Sequence, residues 1–133
     1  MTMVNSDDEG ISAFPAGDSI FVWSATISGP SETVYEDCDF NLALKFSNEY
    51  PYKPPVVTFT SPIFHPNVDT AGNICLDILK EEWSAAYDVR SILLSIQSLL
   101  SSPNVNSPLN NEAALLWSDQ TAFRSRVLQV CTD

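Results

Sequence analysis

The sequence of 133 residues is long enough for one packed domain, expected to span residues 1–133, and too short for two stable ones. Its 44% apolar and 17% charged residues exclude a disordered chain, since such chains combine low hydrophobicity with high charge. The net charge of −11 argues against nucleic acid and membrane partners, because both require surfaces rich in Lys and Arg.

The N-terminal residues show no basic start and no apolar run of signal-peptide length. No segment reaches the ~20 apolar residues needed to cross a bilayer. With three cysteines, an odd number, these features predict reduced thiols and a soluble protein of the cytoplasm and nucleus.

Three segments have the pattern of β-strands. Residues 20–27 alternate between two faces, residues 40–47 have one clearly apolar face, and residues 56–60 form a short apolar run. Because the links between these segments are short, we expect them to form an antiparallel meander.

Periodicity disappears over residues 61–83, where Pro, Asn and Gly residues predict a long irregular loop of the kind that carries function. Asp88 is then a good N-cap for a helix whose apolar residues form one stripe up to Leu100.

Two shorter helices are predicted over residues 111–117 and 121–131, with Asn110 and Asp119 as their caps. Strands followed by helices indicate an α+β fold. We expect an antiparallel β-meander sheet packed against a central helix, with two C-terminal helices.

The central helix also carries Leu94, which the helical spacing places opposite the apolar stripe. Ser91, Ser98 and Ser101 surround it at helical spacing. We interpret this exposed leucine in a small, uncharged patch as a docking surface, although single apolar residues are common on protein surfaces.

The three cysteines, Cys38, Cys75 and Cys131, are far apart and form no pattern of metal ligands, so we expect no metal and no cofactor. Cys75 lies in the irregular loop, ten residues after the only histidine. From this context alone it is either a small buried hydrophobe or a nucleophile, because a thiol is intrinsically nucleophilic.

A cysteine peptidase would require His65 to activate Cys75, but His65 precedes Pro66 in a rigid segment where a structural histidine is equally compatible. Asn67 is more informative. A carboxamide beside a nucleophilic cysteine can donate to an oxyanion, an interaction worth roughly 3–4 kcal/mol when preorganised.

The chain contains Phe-His-Pro-Asn-Val at residues 64–68, Gly-Asn-Ile-Cys-Leu-Asp-Ile-Leu at 72–79 and Trp-Ser at 83–84. With Tyr-Pro-Tyr-Lys-Pro-Pro at 50–55, Pro-Asn at 103–104 and Ser-Pro-Leu at 107–109, these strings resemble the active-site signature of ubiquitin-conjugating enzymes. The resemblance runs from about Gly10 to Cys131, in the family's order and spacing.

Within the family the chain is most similar to the C-type, cell-cycle conjugating enzymes that work with the anaphase-promoting complex. Gly-Ile-Ser-Ala-Phe-Pro at residues 10–15, Val-Tyr-Glu-Asp at 34–37 and Ala-Tyr-Asp-Val-Arg at 86–90 carry this narrower resemblance.

The resemblance implies that Cys75 accepts ubiquitin as a thioester from the ubiquitin-activating enzyme and passes it to lysines of protein substrates. It implies that Asn67 stabilises the oxyanion or holds the adjoining loop, and that His65 serves mainly loop structure. Many members of the family have an acidic residue where this chain has Ser107. A serine can orient the attacking amine but carries no charge, so we expect Asp69, Asp77 or a partner to take part of that task.

The resemblance also assigns docking surfaces. Two loops correspond to those that bind RING-type ligases: Pro51, Tyr52 and Lys53 in the first, and Ser84, Ala85 and Ala86 in the second. The patch of Ser91, Leu94 and Ser98 corresponds to the surface on which the donor ubiquitin folds back.

The family usually begins with an amphipathic helix rich in Lys and Arg, of which only residues 1–4 could represent the last turn here. Efficient charging of this chain is therefore in question. Two alternatives follow: a catalytically impaired, ubiquitin-binding variant, or a conjugating enzyme for another ubiquitin-like modifier.

Overall fold

The computed structural model describes residues 4–6, 10–17 and 21–131. Five strands form one antiparallel sheet in which each strand pairs with the next along the chain. The strands are β1 (Val4–Ser6), β2 (Ile11–Pro15), β3 (Val22–Ser28), β4 (Asp39–Lys45) and β5 (Val56–Phe59). The predicted meander is confirmed, with two more strands than the periodicity indicated.

The register of β3 and β4 places the alternating apolar residues on one face of the sheet. Trp23 lies opposite Leu44, and Ile27 lies opposite Phe40. All four side chains are buried, as are Ala25 and Leu42 on the same face, whereas the residues that alternate with them are at least partly exposed. Burial of one face of each strand is what the period of two requires.

Three helices follow the sheet: α1 (Val89–Ser101), α2 (Asn111–Leu116) and α3 (Gln120–Cys131). The stripe predicted for α1 is buried, and the helix contacts β2 and β3. The three predicted caps are confirmed. Asp88, Asn110 and Asp119 each accept a hydrogen bond from a backbone N–H in the first turn of α1, α2 and α3, respectively.

The N-terminal part of the described chain differs from the prediction. Val4 is not the last turn of a helix, because it pairs with Ala13 in the sheet, and residues 1–3 lie outside the described residues. Pairing with β1 covers the edge of β2 that would otherwise leave backbone groups unpaired. No described residue before β2 is helical.

Among the helices that the structure describes, none combines the length and the apolar character needed to cross a membrane.

Candidate active site

The irregular segment between β5 and α1 is held at its start by buried contacts of Tyr35 and His65. The Tyr35 hydroxyl donates to the carbonyl of Phe64 at 2.7 Å, and the Tyr35 ring lies 5.7 Å from the ring of His65. On the other side, Nε2 of His65 lies 2.8 Å from the carbonyl of Leu99 in α1. These contacts hold the irregular segment in place, with the loop after β3 on one side and α1 on the other.

The hydrogen bonds of His65 determine its tautomer. The backbone N–H of Asn67 donates to Nδ1 at 2.9 Å, so Nδ1 must be the acceptor and Nε2 must carry the proton toward Leu99. Burial lowers the pKa of His65 to about 4, although the Leu99 carbonyl favours the charged form. Because both nitrogens are occupied and the ring is fully buried, His65 cannot act as a base for Cys75.

Asn67 is fully buried, and its carboxamide forms a two-way clamp on the loop after α1. Nδ2 donates to the carbonyl of Asn104 at 2.8 Å, and Oδ1 accepts from the N–H of Asn104, also at 2.8 Å. A longer contact of 3.5 Å joins Nδ2 to the carbonyl of Ser107. The structure therefore shows the loop-holding role that was expected for Asn67, while the oxyanion role stays a prediction.

A tight turn precedes the cysteine. Gly72 has a positive φ of 90°, and a Cβ at this position would lie only 2.1 Å from the carbonyl oxygen of Phe59, so glycine is required. The carboxylate of Asp69 accepts hydrogen bonds from the side chain and backbone of Asn73 and the backbone of Ala71, which lower its pKa. Asp69 therefore stabilises the turn.

Cys75 follows this turn and is partly exposed. Its backbone N–H donates to the carbonyl of Asn67 at 2.9 Å, which joins the two motifs directly. The cysteine opens into a cleft of about 390 Å³, which is also lined by Asn104 and Ser107. A sulfur in an open cleft beside a fixed loop is accessible to a bulky acyl donor and to an attacking amine.

The other two thiols are less suited to this chemistry. Cys38 is buried, and burial, together with a hydrogen bond involving Cys131, raises its pKa to about 12. The thiol of Cys38 therefore stays protonated at neutral pH. Cys131 is the last residue of α3, outside the cleft around Cys75. No group of side chains within the described residues could hold a metal ion.

The acidic residues were only partly predicted. Asp77 lines the cleft around Cys75 together with Glu81, which the sequence analysis did not identify. Asp69 does not line this cleft and is engaged in the turn described above. The contacts of Asp69 therefore do not support the expectation that it assists the attacking amine, because its carboxylate is engaged by turn N–H groups outside the cleft.

The two loops assigned to ligase binding lie side by side. The indole N–H of Trp83 donates to the carbonyl of Pro51 at 2.9 Å, and its ring packs 6.2 Å from that of Tyr50. Tyr52 is 83% exposed beside this joint. Lys53 pairs with Glu49 at 3.0 Å. In the second loop, Ala85 and Ala86 are exposed and Ser84 is partly exposed.

The prediction of an exposed Leu94 holds only in part. Leu94 is partly buried and packs against the core, and Ser91 is partly buried beside it, with its hydroxyl donating to Asp88 at 2.9 Å. Ser98 is exposed. Helical periodicity identifies the face that packs on the sheet, but it does not show which segments cover the flanks of the helix.

Sequence reasoning did not identify three residues that shape the site. Tyr35 anchors the segment from a position 29 residues earlier, and Asn104 receives the Asn67 clamp through its backbone. Nζ of Lys80 lies 3.8 Å from Sγ of Cys75. Tyr35 and Asn104 stand within motif strings quoted above, and Lys80 is a lysine five residues after the candidate nucleophile, but none of these signals predicts the contact itself.

Comparison with known proteins agrees with this geometry. The family model described as ubiquitin-conjugating enzyme matches residues 1–131. The ubiquitin-conjugating enzyme E2-20 kDa of Schizosaccharomyces pombe is 54% identical over 129 residues, which cover 96% of this chain and 73% of the relative. The ubiquitin-conjugating enzyme E2 2 of Yarrowia lipolytica is 50% identical over 117 residues, covering 88% and 78%, respectively.

Solved structures show the same similarity. The H. polymorpha ubiquitin-conjugating enzyme Pex4p, crystallised in complex with the soluble domain of Pex22p, superimposes with a TM-score of 0.91 at 33% identity. That match covers 95% of this chain and 84% of the other. A Toxoplasma gondii ubiquitin-conjugating enzyme domain gives a TM-score of 0.86 at 38% identity, covering 95% and 88%.

Proposed function

Because the chain belongs to the ubiquitin-conjugating enzyme family, whose members transfer ubiquitin through a thioester, we propose that Cys75 forms this thioester with ubiquitin. The observation that carries this proposal is the position of Cys75, partly exposed in an open cleft and held by the backbone of Asn67. By contrast, the Cys38 thiol is buried and stays protonated.

In the proposed reaction, Cys75 accepts ubiquitin from the activating enzyme by exchange of one thioester for another. A neutral lysine amine of the substrate then attacks the thioester carbonyl, and the Cys75 thiolate leaves. Asn67 contributes by holding the loop of Asn104, which forms one wall of the cleft. Ser107 lines the same cleft and is available to orient the incoming amine.

The structure argues against the peptidase alternative. A thiol peptidase requires an imidazole that takes the proton of the cysteine, and the only histidine is buried with both ring nitrogens occupied. Thioester transfer has no such requirement, since the thiolate both attacks and leaves.

A RING-type ligase is the proposed partner for the surface formed by the two loops joined through Trp83. Tyr52 supplies an exposed aromatic anchor, and Ala85 and Ala86 supply small neighbours that allow close approach. The joint between Trp83 and Pro51 keeps the two halves of this surface in a fixed relation.

Within the family, we assign the chain to the C-type, cell-cycle branch that works with the anaphase-promoting complex. Support for this assignment comes from the motifs at residues 10–15, 34–37 and 86–90. In the structure the first of these contains strand β2, and the second contains the anchor Tyr35. Ubiquitination by the isolated complex, compared with that by an unrelated RING ligase, tests this assignment.

The test of the central proposal is incubation with activating enzyme, ATP and ubiquitin, followed by a non-reducing gel. A conjugate that thiol reductant removes should form with the unaltered chain and with Cys131→Ala, but not with Cys75→Ala. Loss of the conjugate in Cys131→Ala, or its retention in Cys75→Ala, would contradict the assignment. Parallel reactions with other ubiquitin-like modifiers and their activating enzymes test the alternative modifier.

A further inference from the structure

We propose that Lys80 is a catalytic residue whose ammonium group donates to the thioester carbonyl oxygen as that oxygen becomes negative during ubiquitin transfer. This inference rests on the proposed thioester on Cys75 and names the group that stabilises the oxyanion there. The observation behind it is the hydrogen bond of 3.8 Å from Nζ of Lys80 to Sγ of Cys75.

The local backbone brings Lys80 to the cysteine. After Cys75 the chain turns through a short 3₁₀ helix at Asp77–Leu79, and the backbone N–H of Lys80 donates to the carbonyl of Asp77 at 2.9 Å. The turn places Lys80 on the wall of the same cleft. Its ammonium group carries three N–H donors on a flexible four-carbon stem, so it can turn from the sulfur toward a neighbouring oxygen.

Asn67 is less suited to this task in the folded chain. Its carboxamide is fully buried, so a substrate oxygen, which is about the size of a water molecule, cannot touch it. Nδ2 is already directed at the carbonyls of Asn104 and Ser107, at 2.8 and 3.5 Å. Contact between Asn67 and an oxyanion would therefore require the loop of Asn104 to move away and the clamp to break.

The charges around the cleft also favour Lys80. The carboxylates of Asp77 and Glu81 line the cleft, and they oppose the development of a further negative charge there. Of the described residues that line the cleft, only Lys80 has a cationic side chain. The described ion pairs use Lys53 and Arg126, and the side-chain contact described for Lys80 is the one to Cys75. Its positive charge therefore lies where negative charge develops.

The distance suits hydrogen bonding to the oxyanion. In the charged enzyme the thioester carbonyl carbon is bonded to Sγ of Cys75, so the carbonyl oxygen is two bonds from the sulfur. Since Nζ of Lys80 is already 3.8 Å from Sγ, a small rotation brings it to the ~2.7–3.1 Å at which a donor stabilises an oxyanion. Lys80 is exposed, so this rotation does not require breaking a packed arrangement.

The reaction balances with the substrate amine as the only further reactant. The neutral amine forms a bond to the carbonyl carbon, and the π electrons of the C=O bond move onto the oxygen, which accepts a hydrogen bond from Lys80. The C=O bond then forms again, the C–S bond breaks, and its electron pair leaves with the Cys75 thiolate. The attacking nitrogen loses one proton to solvent, whereas Lys80 keeps its protons throughout.

The experiment loads Cys75 in two ways, with activating enzyme and ATP, and by thiol exchange with ubiquitin bearing a C-terminal thioester of a small thiol. The purified conjugate is then mixed with free lysine or with hydroxylamine, and the ubiquitin amide or hydroxamate is measured directly. The second loading route does not depend on the activating enzyme. No loading of the unaltered chain by either route would contradict the thioester function, and with it this inference.

Three variants separate charge from structure. Lys80→Met removes the charge and the N–H donors but keeps an unbranched side chain, and Lys80→Arg keeps a positive charge and N–H donors. Lys45→Met is the matched control, because Lys45 is an exposed residue at the end of β4 and does not line the cleft.

We expect Lys80→Met to slow discharge at least about tenfold, which is less than the ~10²–10³-fold cost of losing a rigid oxyanion donor because Lys80 is exposed. The factor should be the same for lysine and for hydroxylamine, which is too small to depend on recognition of a lysine side chain. Lys80→Arg should recover most of the rate, and Lys45→Met should match the unaltered chain.

Three results would overturn the proposal. An unchanged rate in Lys80→Met would show that the ammonium group does not assist transfer. A loss confined to lysine, with hydroxylamine unaffected, would assign Lys80 to recognition of the acceptor. A rate for Lys80→Arg as low as that of Lys80→Met would show that the positive charge is not what matters.

Discussion

Acidification should destabilise the folded chain through one side chain, His65. Its imidazole is buried and neutral, with a pKa lowered by burial from 6.5 to about 4. Above pH 6.5 neither the folded nor the unfolded chain protonates this group. Between pH 6.5 and pH 4 the unfolded chain binds a proton that the folded chain does not, so stability falls as the pH falls.

The magnitude follows from the shift. Each pH unit below the unfolded pKa costs about 1.4 kcal/mol, so at pH 5 the loss through His65 is about 2 kcal/mol. It approaches about 3 kcal/mol near pH 4. His65 is the only histidine, so no other imidazole contributes to this range.

The assay is urea denaturation at pH 7 and pH 5, carried out on the unaltered chain and on His65→Gln. The variant is expected to be less stable at pH 7, because glutamine cannot reproduce both hydrogen bonds of the ring. The quantity to compare is the loss of unfolding free energy between pH 7 and pH 5 in each of the two chains. The carboxylates contribute equally to both losses, so their effect cancels in the comparison. A loss that is about 2 kcal/mol larger for the unaltered chain is expected. An equal loss in both would refute the argument that burial keeps His65 neutral.

The remaining predictions concern transfer and folding. Leu94→Glu should slow lysine discharge about tenfold, because it removes about 1.4 kcal/mol of contact with the donor ubiquitin, and should leave Cys75 loading unchanged. Equal loss of loading and discharge would contradict this role of Leu94. Ser107→Asp should keep or raise discharge, measured as loss of thioester after lysine is added, and a large fall with normal loading would count against it. Gly72→Ala should lower the free energy of unfolding by about 2–4 kcal/mol, since its Cβ would meet the Phe59 carbonyl at a positive φ; an unchanged denaturation midpoint would disprove this.

Strong periodicity explains which parts of the fold were predictable. Strands β3 to β5 and helix α1 alternate or repeat over enough residues for one buried face to be recognised, and the caps of the helices are single polar residues with a local mechanism. Strand β1 has three residues, too few to show a period, and β2 has five. In β2, Ile11 and Ala13 are buried on one face, but Phe14 and Pro15 interrupt the pattern.

The candidate site was predictable only where it is carried by motifs. Cys75, Asn67 and Ser107 were found because the chain resembles a family at those positions, and the structure places Cys75 and Ser107 in one cleft. The contact of Lys80 with Cys75 depends on a 3₁₀ turn that leaves little trace in the sequence, and the Tyr35 anchor depends on a contact across 29 residues. Contacts of these two kinds follow from the three-dimensional path of the chain.

The proposed thioester on Cys75 is tested most directly by identifying the atom to which ubiquitin is bonded. Replacing a thioester-forming cysteine by serine gives an oxygen ester, which resists thiol reductant and is cleaved by alkali. After incubation with activating enzyme, ATP and ubiquitin, Cys75→Ser should therefore form an alkali-labile conjugate that survives reductant. Cys38→Ser and Cys131→Ser should still form one that reductant removes. A conjugate of Cys75→Ser that reductant removes would show that another sulfur carries the ubiquitin, and would contradict the account.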